Sequence, residues 1–327
     1  MKTTYKEILI AMVMGLVVPG ILLNFAVMLL DRQPTEEPEQ TQPQILAEET
    51  TAPETVELPM LLRKSDGSVE EMEMDAYLVG VVLAEMPTSF EPEALKAQSV
   101  VARTYTQKAY VSGGKHGDGS VCSRPSCCQA YISESDYLAQ GGTQEGVDKV
   151  RSAVAATTGC VLTYEGELIE ATYFSCSGGS TEDEAAVWGT DFPYLQAVSS
   201  PGEENAAHYT DTVTFTAQQF QNALGTSLSG SPSSWFGTVT YTEGGGVATM
   251  MIGDESYKGT ELRLLLGLRS TAFTVSAGTN EITVTTRGYG HRVGMSQYGA
   301  DAMAVTGSSY EEILSYYYQG TELTRLG

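Results

Sequence analysis

The stretch YLVGVVLAEMPTSFEPEALKAQSVVARTYT, Tyr77 to Thr106, holds the two helices around which the rest of the chain is arranged. Met74 to Met86 reads as the first helix. Asp75 stands where it would cap the start, and Pro87 ends it, because proline lacks an N–H and clashes with the turn behind it. Pro92 opens a second helix that runs to Tyr110, lined by Ala94, Ala97, Val101 and Tyr105, small residues among them that allow close packing. In the first helix Leu78, Val81 and Val82 recur at the i, i+3, i+4 spacing of a buried face. Glu85 lies four residues beyond Val81, so a carboxylate projects from that apolar stripe. Desolvation and the negative end of the helix dipole both disfavour its charge and raise its pKa. A carboxylic acid that stays protonated near neutral pH is what protonation of a glycosidic oxygen requires. Two structural roles stand beside this one: a hydrogen bond to the following loop, or an ion pair with Arg103.

Upstream of these helices, Ile8 to Leu30 (ILIAMVMGLVVPGILLNFAVMLL) runs without a charge. That is long enough to span a bilayer as a helix. Lys2 and Lys6 precede it in the short segment 1–7, and Asp31 begins an acidic stretch. The positive side stays in the cytoplasm, so the body is expected outside. A cleavable signal peptide is the rival reading, but no small-x-small site follows the apolar run. Residues 31–57 are rich in Glu, Gln, Thr and Pro and read as an extended, self-repelling linker. The whole chain carries a formal charge of −23 with 18 Lys and Arg. Such a surface repels nucleic acid and anionic lipid, which argues against either as a partner.

The body, 58–327, mixes helix and strand patterns without βαβ regularity, so the fold class expected is α+β. A hairpin turns at Asp66-Gly67. A loop covers Cys122 to Tyr131, and a third helix Val147 to Thr157. Strands follow at Val161–Tyr164 and Leu168–Phe174. Residues 210–275 alternate one helix with several strands and read as an inserted subdomain. Antiparallel strands and helices are expected around a substrate groove.

Five cysteines are present. In KHGDGSVCSRPSCCQAY, Lys115 to Tyr131, the residues His116, Cys122, Cys127 and Cys128 bring four borderline or soft ligands together, which suits a closed tetrahedral zinc site of structural type. A disulfide among these cysteines, or with Cys160 or Cys176, is the alternative. No HExxH pair exists for a zinc peptidase.

The Tyr77–Thr106 run resembles the opening signature of the stage II sporulation protein D family, which includes enhancers of cell-wall amidases. Three more blocks agree in order: ATYFSCSGGSTE (Ala171–Glu182), WGTDFPYLQAVSSPGE (Trp188–Glu203) and RGYGHRVGMSQYGADAMA (Arg287–Ala304). GTELRLLLGLRSTAF (Gly259–Phe273) also fits. The resemblance implies a lytic transglycosylase of the engulfment machinery in sporulation. Such an enzyme cuts peptidoglycan glycan strands, preferably those stripped of stem peptides, with the Glu of Ala-Glu-Met-Pro, here Glu85, as its catalytic acid/base. It further implies stage II sporulation protein P, an amidase, and stage II sporulation protein M, a membrane protein, as partners at the mother-cell membrane. Tyr173, Ser175, Ser177, His291, Gln297 and Tyr298 are expected to wall the groove, the polar ones bonding sugar hydroxyls and Tyr173 offering a stacking face. Many relatives carry Gly where this chain has Arg292. A non-catalytic activator of an amidase is the second reading.

Overall fold

The hairpin at Asp66-Gly67 joins strands β1 (Met60–Arg63) and β2 (Val69–Met72), with Gly67 in the left-handed region at φ 87°. A computed structural model describes residues 59–326 apart from Ser65. The expected segment 1–7, anchor 8–30 and linker 31–57 lie outside the described residues. Among the described residues no helix is long and apolar enough to cross a membrane.

Helix α1 (Met74–Glu85) is apolar almost all round, and Met74, Tyr77 and the run Leu78–Leu83 are all buried. It is a core helix rather than one with a single apolar stripe. Asp75 does not cap it; Glu73 holds that position without a side-chain bond. Asp75 instead accepts from Arg103 at 2.5 Å and from the Thr158 hydroxyl at 2.7 Å. This explains the fully buried guanidinium on α2 (Pro92–Ser112), and it removes Arg103 as the partner of Glu85.

After α2 come β3 (Val121–Cys122), which pairs parallel with β1, and the helices α3 (Glu134–Ala139) and α4 (Gln144–Ala156). Helices α1, α2 and α4 share one core with β4 (Cys160–Tyr164), which pairs with β5 (Glu167–Leu168) and the final strand. Next come the short strand β6 (Tyr173–Phe174) and the one-turn helix α5 (Glu184–Val187).

A second core is built by β7 (Thr210–Thr216), α6 (Ala217–Leu224), β8 (Phe236–Tyr241), β9 (Val247–Ile252), β10 (Glu255–Lys258), α7 (Gly259–Leu265), β11 (Phe273–Ala277) and β12 (Glu281–Arg287). The expected insertion, 210–275, stops short. β7 pairs along its whole length with β12, and Ile282 and Val284 from alternate positions of β12 fill the same core, so the unit closes at 287. The chain then returns to the first core with β13 (Met295–Ser296), α8 (Gln297–Val305), α9 (Tyr310–Tyr317) and β14 (Glu322–Arg325). The fold is α+β with several small sheets. Most pairings are antiparallel, but β6 and β13 lie parallel, Tyr173 beside Met295 and Phe174 beside Ser296. That two-residue pairing brings two distant sequence blocks to one wall.

Candidate active site and metal centre

Glu85 is the last residue of α1, half-buried where the helix leaves the core. Its Oε1 accepts the Ala130 N–H at 2.7 Å and the Tyr173 hydroxyl at 3.2 Å. The Tyr173 hydroxyl also lies 3.2 Å from Gln129 Oε1. Gln129 in turn donates to the Tyr77 hydroxyl at 3.2 Å and to Thr106 Oγ1 at 3.0 Å, which fixes its amide orientation. Burial pushes the Glu85 carboxyl above the ordinary carboxylate range. Donors from Ala130, Tyr173 and Gln297 favour the charged form and offset only part of that push.

The loop that carries Gln129 and Ala130 reaches α1 because residue 80 is glycine. A Cβ there would stand 2.3 Å from the Tyr131 ring and 2.6 Å from the Ile132 carbonyl. Instead Tyr131 stacks on Tyr77, with ring centroids 5.6 Å apart, and the Ile132 N–H donates to the Gly80 carbonyl at 3.2 Å.

Glu85 opens into a cleft of about 480 Å³, within the range of small-ligand sites. Tyr173, Ser175, His291 and Gln297 all line it. Ser177 and Tyr298 do not. Ser177 is fully buried; its N–H and hydroxyl donate to Glu203 Oε2 at 2.6 and 2.8 Å, so its hydrogen bonds are spent within the fold. Tyr298 packs edge-on against Phe90, with centroids 4.9 Å apart. Tyr173 points its hydroxyl at Glu85, which makes it a partner of the acid rather than a free stacking face.

His291 Nδ1 accepts the Val293 N–H at 3.1 Å, which leaves the proton on Nε2. Burial first, then the positive charges of Arg263 and Lys115, lower its pKa to about 4, while a hydrogen bond with the Tyr173 backbone works the other way. The imidazole is therefore neutral at physiological pH. Its neighbour Arg292 has φ 68°, the left-handed conformation that favours glycine. This chain keeps a side chain there by binding it fully. The buried guanidinium donates to Glu182 Oε1 at 2.8 Å and to the carbonyls of Ser177, Ser180 and Gly244, each at 2.7 Å.

The metal-binding candidates come together. The ligand atoms of His116, Cys122, Cys127 and Cys128 all lie within 4.8 Å of one another. His116 Nε2 is 3.9 Å from Cys127 Sγ and 3.6 Å from Cys128 Sγ, and the two sulfurs are 3.9 Å apart. Ligands bound tetrahedrally at about 2.0–2.3 Å would be separated by about 3.3–3.8 Å, so the spacing fits one four-coordinate ion. Burial opposes ionisation of Cys122, yet hydrogen bonds from Arg124 and His116 hold its thiol down at about 6. All five cysteines are unbridged in this structure. The cluster and the acid share a loop: Pro125, Ser126, Cys128 and Gln129 line the cleft, and Ala130 bonds Glu85.

Several functional groups were not singled out by sequence reasoning. Ala130 acts through its backbone, for which a sequence has no signal. Trp188 and Tyr289, both exposed in the cleft, stood inside recognised blocks without an assigned role.

The family model described as "Stage II sporulation protein" matches residues 63–164. The chain is 42% identical over 289 residues to stage II sporulation protein D of Bacillus subtilis (strain 168), covering 87% of this chain and 83% of that protein. It is 41% identical to stage II sporulation protein D of Bacillus amyloliquefaciens, covering 85% of this chain and 81% of that one. The amidase enhancer of Bacillus subtilis (strain 168) is 32% identical over 76% of this chain and 40% of its own length. The chain belongs to the stage II sporulation protein D family, a family of sporulation.

Proposed function

We propose that this protein is a lytic transglycosylase that cuts the bond between N-acetylmuramic acid and N-acetylglucosamine in peptidoglycan, leaving 1,6-anhydro ends. One observation carries the reading. Among the described residues lining the cleft, Glu85 is the single carboxylate. A hydrolytic glycosidase uses two. With one, the substrate must supply its own nucleophile, and the muramic acid 6-hydroxyl can do so.

Because Oε1 of Glu85 already accepts from Ala130 and Tyr173, the acidic proton belongs on Oε2. It passes to the glycosidic oxygen as the C1–O bond breaks, and an oxocarbenium-like centre forms at C1. The carboxylate, now stabilised by the same two donors, takes the proton of the 6-hydroxyl as that oxygen closes onto C1. Protons balance, and Glu85 ends as it began.

Zinc is the ion best matched to the three thiols and one imidazole, and with four protein ligands it would be structural. It would supply cross-linking of the 116–128 segment, and so hold the Ala130 amide against Glu85. The charge asymmetry around Ile8–Leu30 supports an anchored protein whose body lies outside the cytoplasm. Strands cleared of stem peptides by stage II sporulation protein P, with stage II sporulation protein M in the same assembly, are the substrate and partners proposed.

Similarity to an amidase enhancer favours a second reading, an activator that grips glycan without cutting it. Product analysis on purified glycan strands decides. Wild-type protein should release anhydro-muropeptides and Glu85→Gln should not; equal release, or none from either, removes the enzyme reading.

A further inference from the structure

The cleft has an aromatic end whose role the acid chemistry does not use. Trp188 follows the last residue of α5, and its N–H donates to the Glu184 carbonyl at 2.8 Å, which ties the residue to that helical turn. The residue is 49% exposed, unusual for one so large and apolar, and it lines the same cleft as Glu85. One part of the indole rests on His291, with ring centroids 4.9 Å apart and planes inclined at 51°. His291 rests in turn on Phe174, 5.6 Å away. The imidazole is thus a fixed spacer, with Nδ1 bonded to the Val293 amide and a further hydrogen bond to the Tyr173 backbone.

Of the other aromatic rings lining the cleft, Phe174 is buried behind His291 and Tyr105 is half-buried, and the remaining two, Tyr173 and Tyr289, make contacts of their own. Tyr173 turns its hydroxyl to Glu85. The face of Tyr289 is covered by the Arg269 guanidinium at 5.3 Å, and its ring meets His208 edge-on at 5.4 Å. The second tryptophan, Trp235, is only 4% exposed in the second core, with Nε1 bonded to the Ser229 carbonyl. Trp188 is therefore the most exposed aromatic residue of the cleft, and no cation covers its face as Arg269 covers that of Tyr289.

We propose that Trp188, braced by His291 and Phe174, is the sugar-stacking residue of this cleft, taking the apolar face of an N-acetylated pyranose ring. The assignment of the ligand class rests on the glycan-cutting reading; the stacking site itself does not need Glu85 to turn over. A pyranose presents several C–H groups on one face, and a rigid indole buries them at little conformational cost. Placing this role on His291 or Tyr173 would require a ring that is already committed.

The test uses tryptophan fluorescence in the Glu85→Gln background, so that nothing is cleaved, with chitotriose as a neutral N-acetylated probe. Chitotriose should change the emission of Glu85→Gln saturably. In Glu85→Gln/Trp188→Ala that change should vanish, and binding measured by calorimetry should weaken by roughly tenfold, the loss expected for one well-placed aromatic anchor. In Glu85→Gln/His291→Phe, which keeps an apolar brace, the emission change should survive. The proposal is overturned if Trp188→Ala binds chitotriose as tightly as its parent, if the emission change persists without Trp188, or if chitotriose does not bind at all. Failure of glycan cleavage with the Trp188 response intact would overturn the transglycosylase reading and leave this one standing.

Discussion

The amide of Ala130 lies 2.7 Å from Oε1 of Glu85, across a separation of forty-five residues, and it belongs to the loop whose other end is held by the His116, Cys122, Cys127 and Cys128 cluster. A backbone donor set by a cysteine-rich loop thus bears directly on the acid. The loop acts on two properties of Glu85 at once, its position and its charge.

Metal removal should therefore act on activity through structure. With zinc bound, the protein should contain a stoichiometric ion by elemental analysis. Cys128→Ser should lose it, lower the melting temperature and cut turnover by roughly 10–100-fold, the range seen when groups supporting a site are lost. Chelation should inactivate only as fast as the loop 116–128 loosens, measured by hydrogen exchange. Instant loss of turnover with unchanged exchange would argue for a catalytic ion instead.

Tyr173→Phe deletes a donor that favours the Glu85 carboxylate. The folded-state pKa of Glu85, already above its ordinary value, then rises further. The acid form persists to higher pH, so the falling alkaline limb of the pH–rate profile moves upward. Maximal rate falls by about tenfold, because the carboxylate left after proton donation loses a hydrogen bond to a charged group. A downward move of that limb would contradict the assignment.

Glu182 and Arg292 are each about 1% exposed and bonded at 2.8 Å. Glu182→Ala leaves a buried guanidinium without its counter-charge and should cost about 3–5 kcal/mol in denaturant unfolding. Arg292→Gly removes the cation but restores a residue at ease with positive φ, yet it strands the Glu182 carboxylate. The double variant should be less damaged than the two single losses added together.

His291 is neutral in the folded protein down to about pH 4, against 6.5 for the unfolded chain. Its folded pKa is depressed because burial penalises the cation. The stability this represents is present above 6.5 and is lost as pH falls from there toward 4, on the order of 2 kcal/mol after allowance for partial solvent access. His291→Phe should flatten that part of the stability–pH curve, read as melting temperature against pH.

Much of the site's first outline was legible in the Tyr77–Thr106 stretch. The Pro87 stop, the Pro92 start and Glu85 among apolar neighbours follow from local rules of chain geometry and burial, which act over a few residues. Clustered ligands at His116, Cys122, Cys127 and Cys128 were likewise visible, because they are close in the chain. Asp75 misled, since a carboxylate near a helix start suits either a cap or an ion pair, and only the approach of α2 shows that Arg103 claims it. Ser177 misled for the same reason: a hydroxyl in a glycine-rich turn looks available until Glu203 is found beneath it.

By itself, then, the sequence determined the helix ends, the odd placement of Glu85 and the ligand set near α2, all consequences of neighbouring residues. Tertiary structure alone decided which groups meet. It brought Ala130 to Glu85 through the space left at Gly80, joined Tyr173 to the His291 block through the parallel β6–β13 pair, and closed the second core with β12 rather than at 275. Those contacts depend on packing between segments far apart in the chain, and packing is a property of the assembled surfaces rather than of any local run of residues.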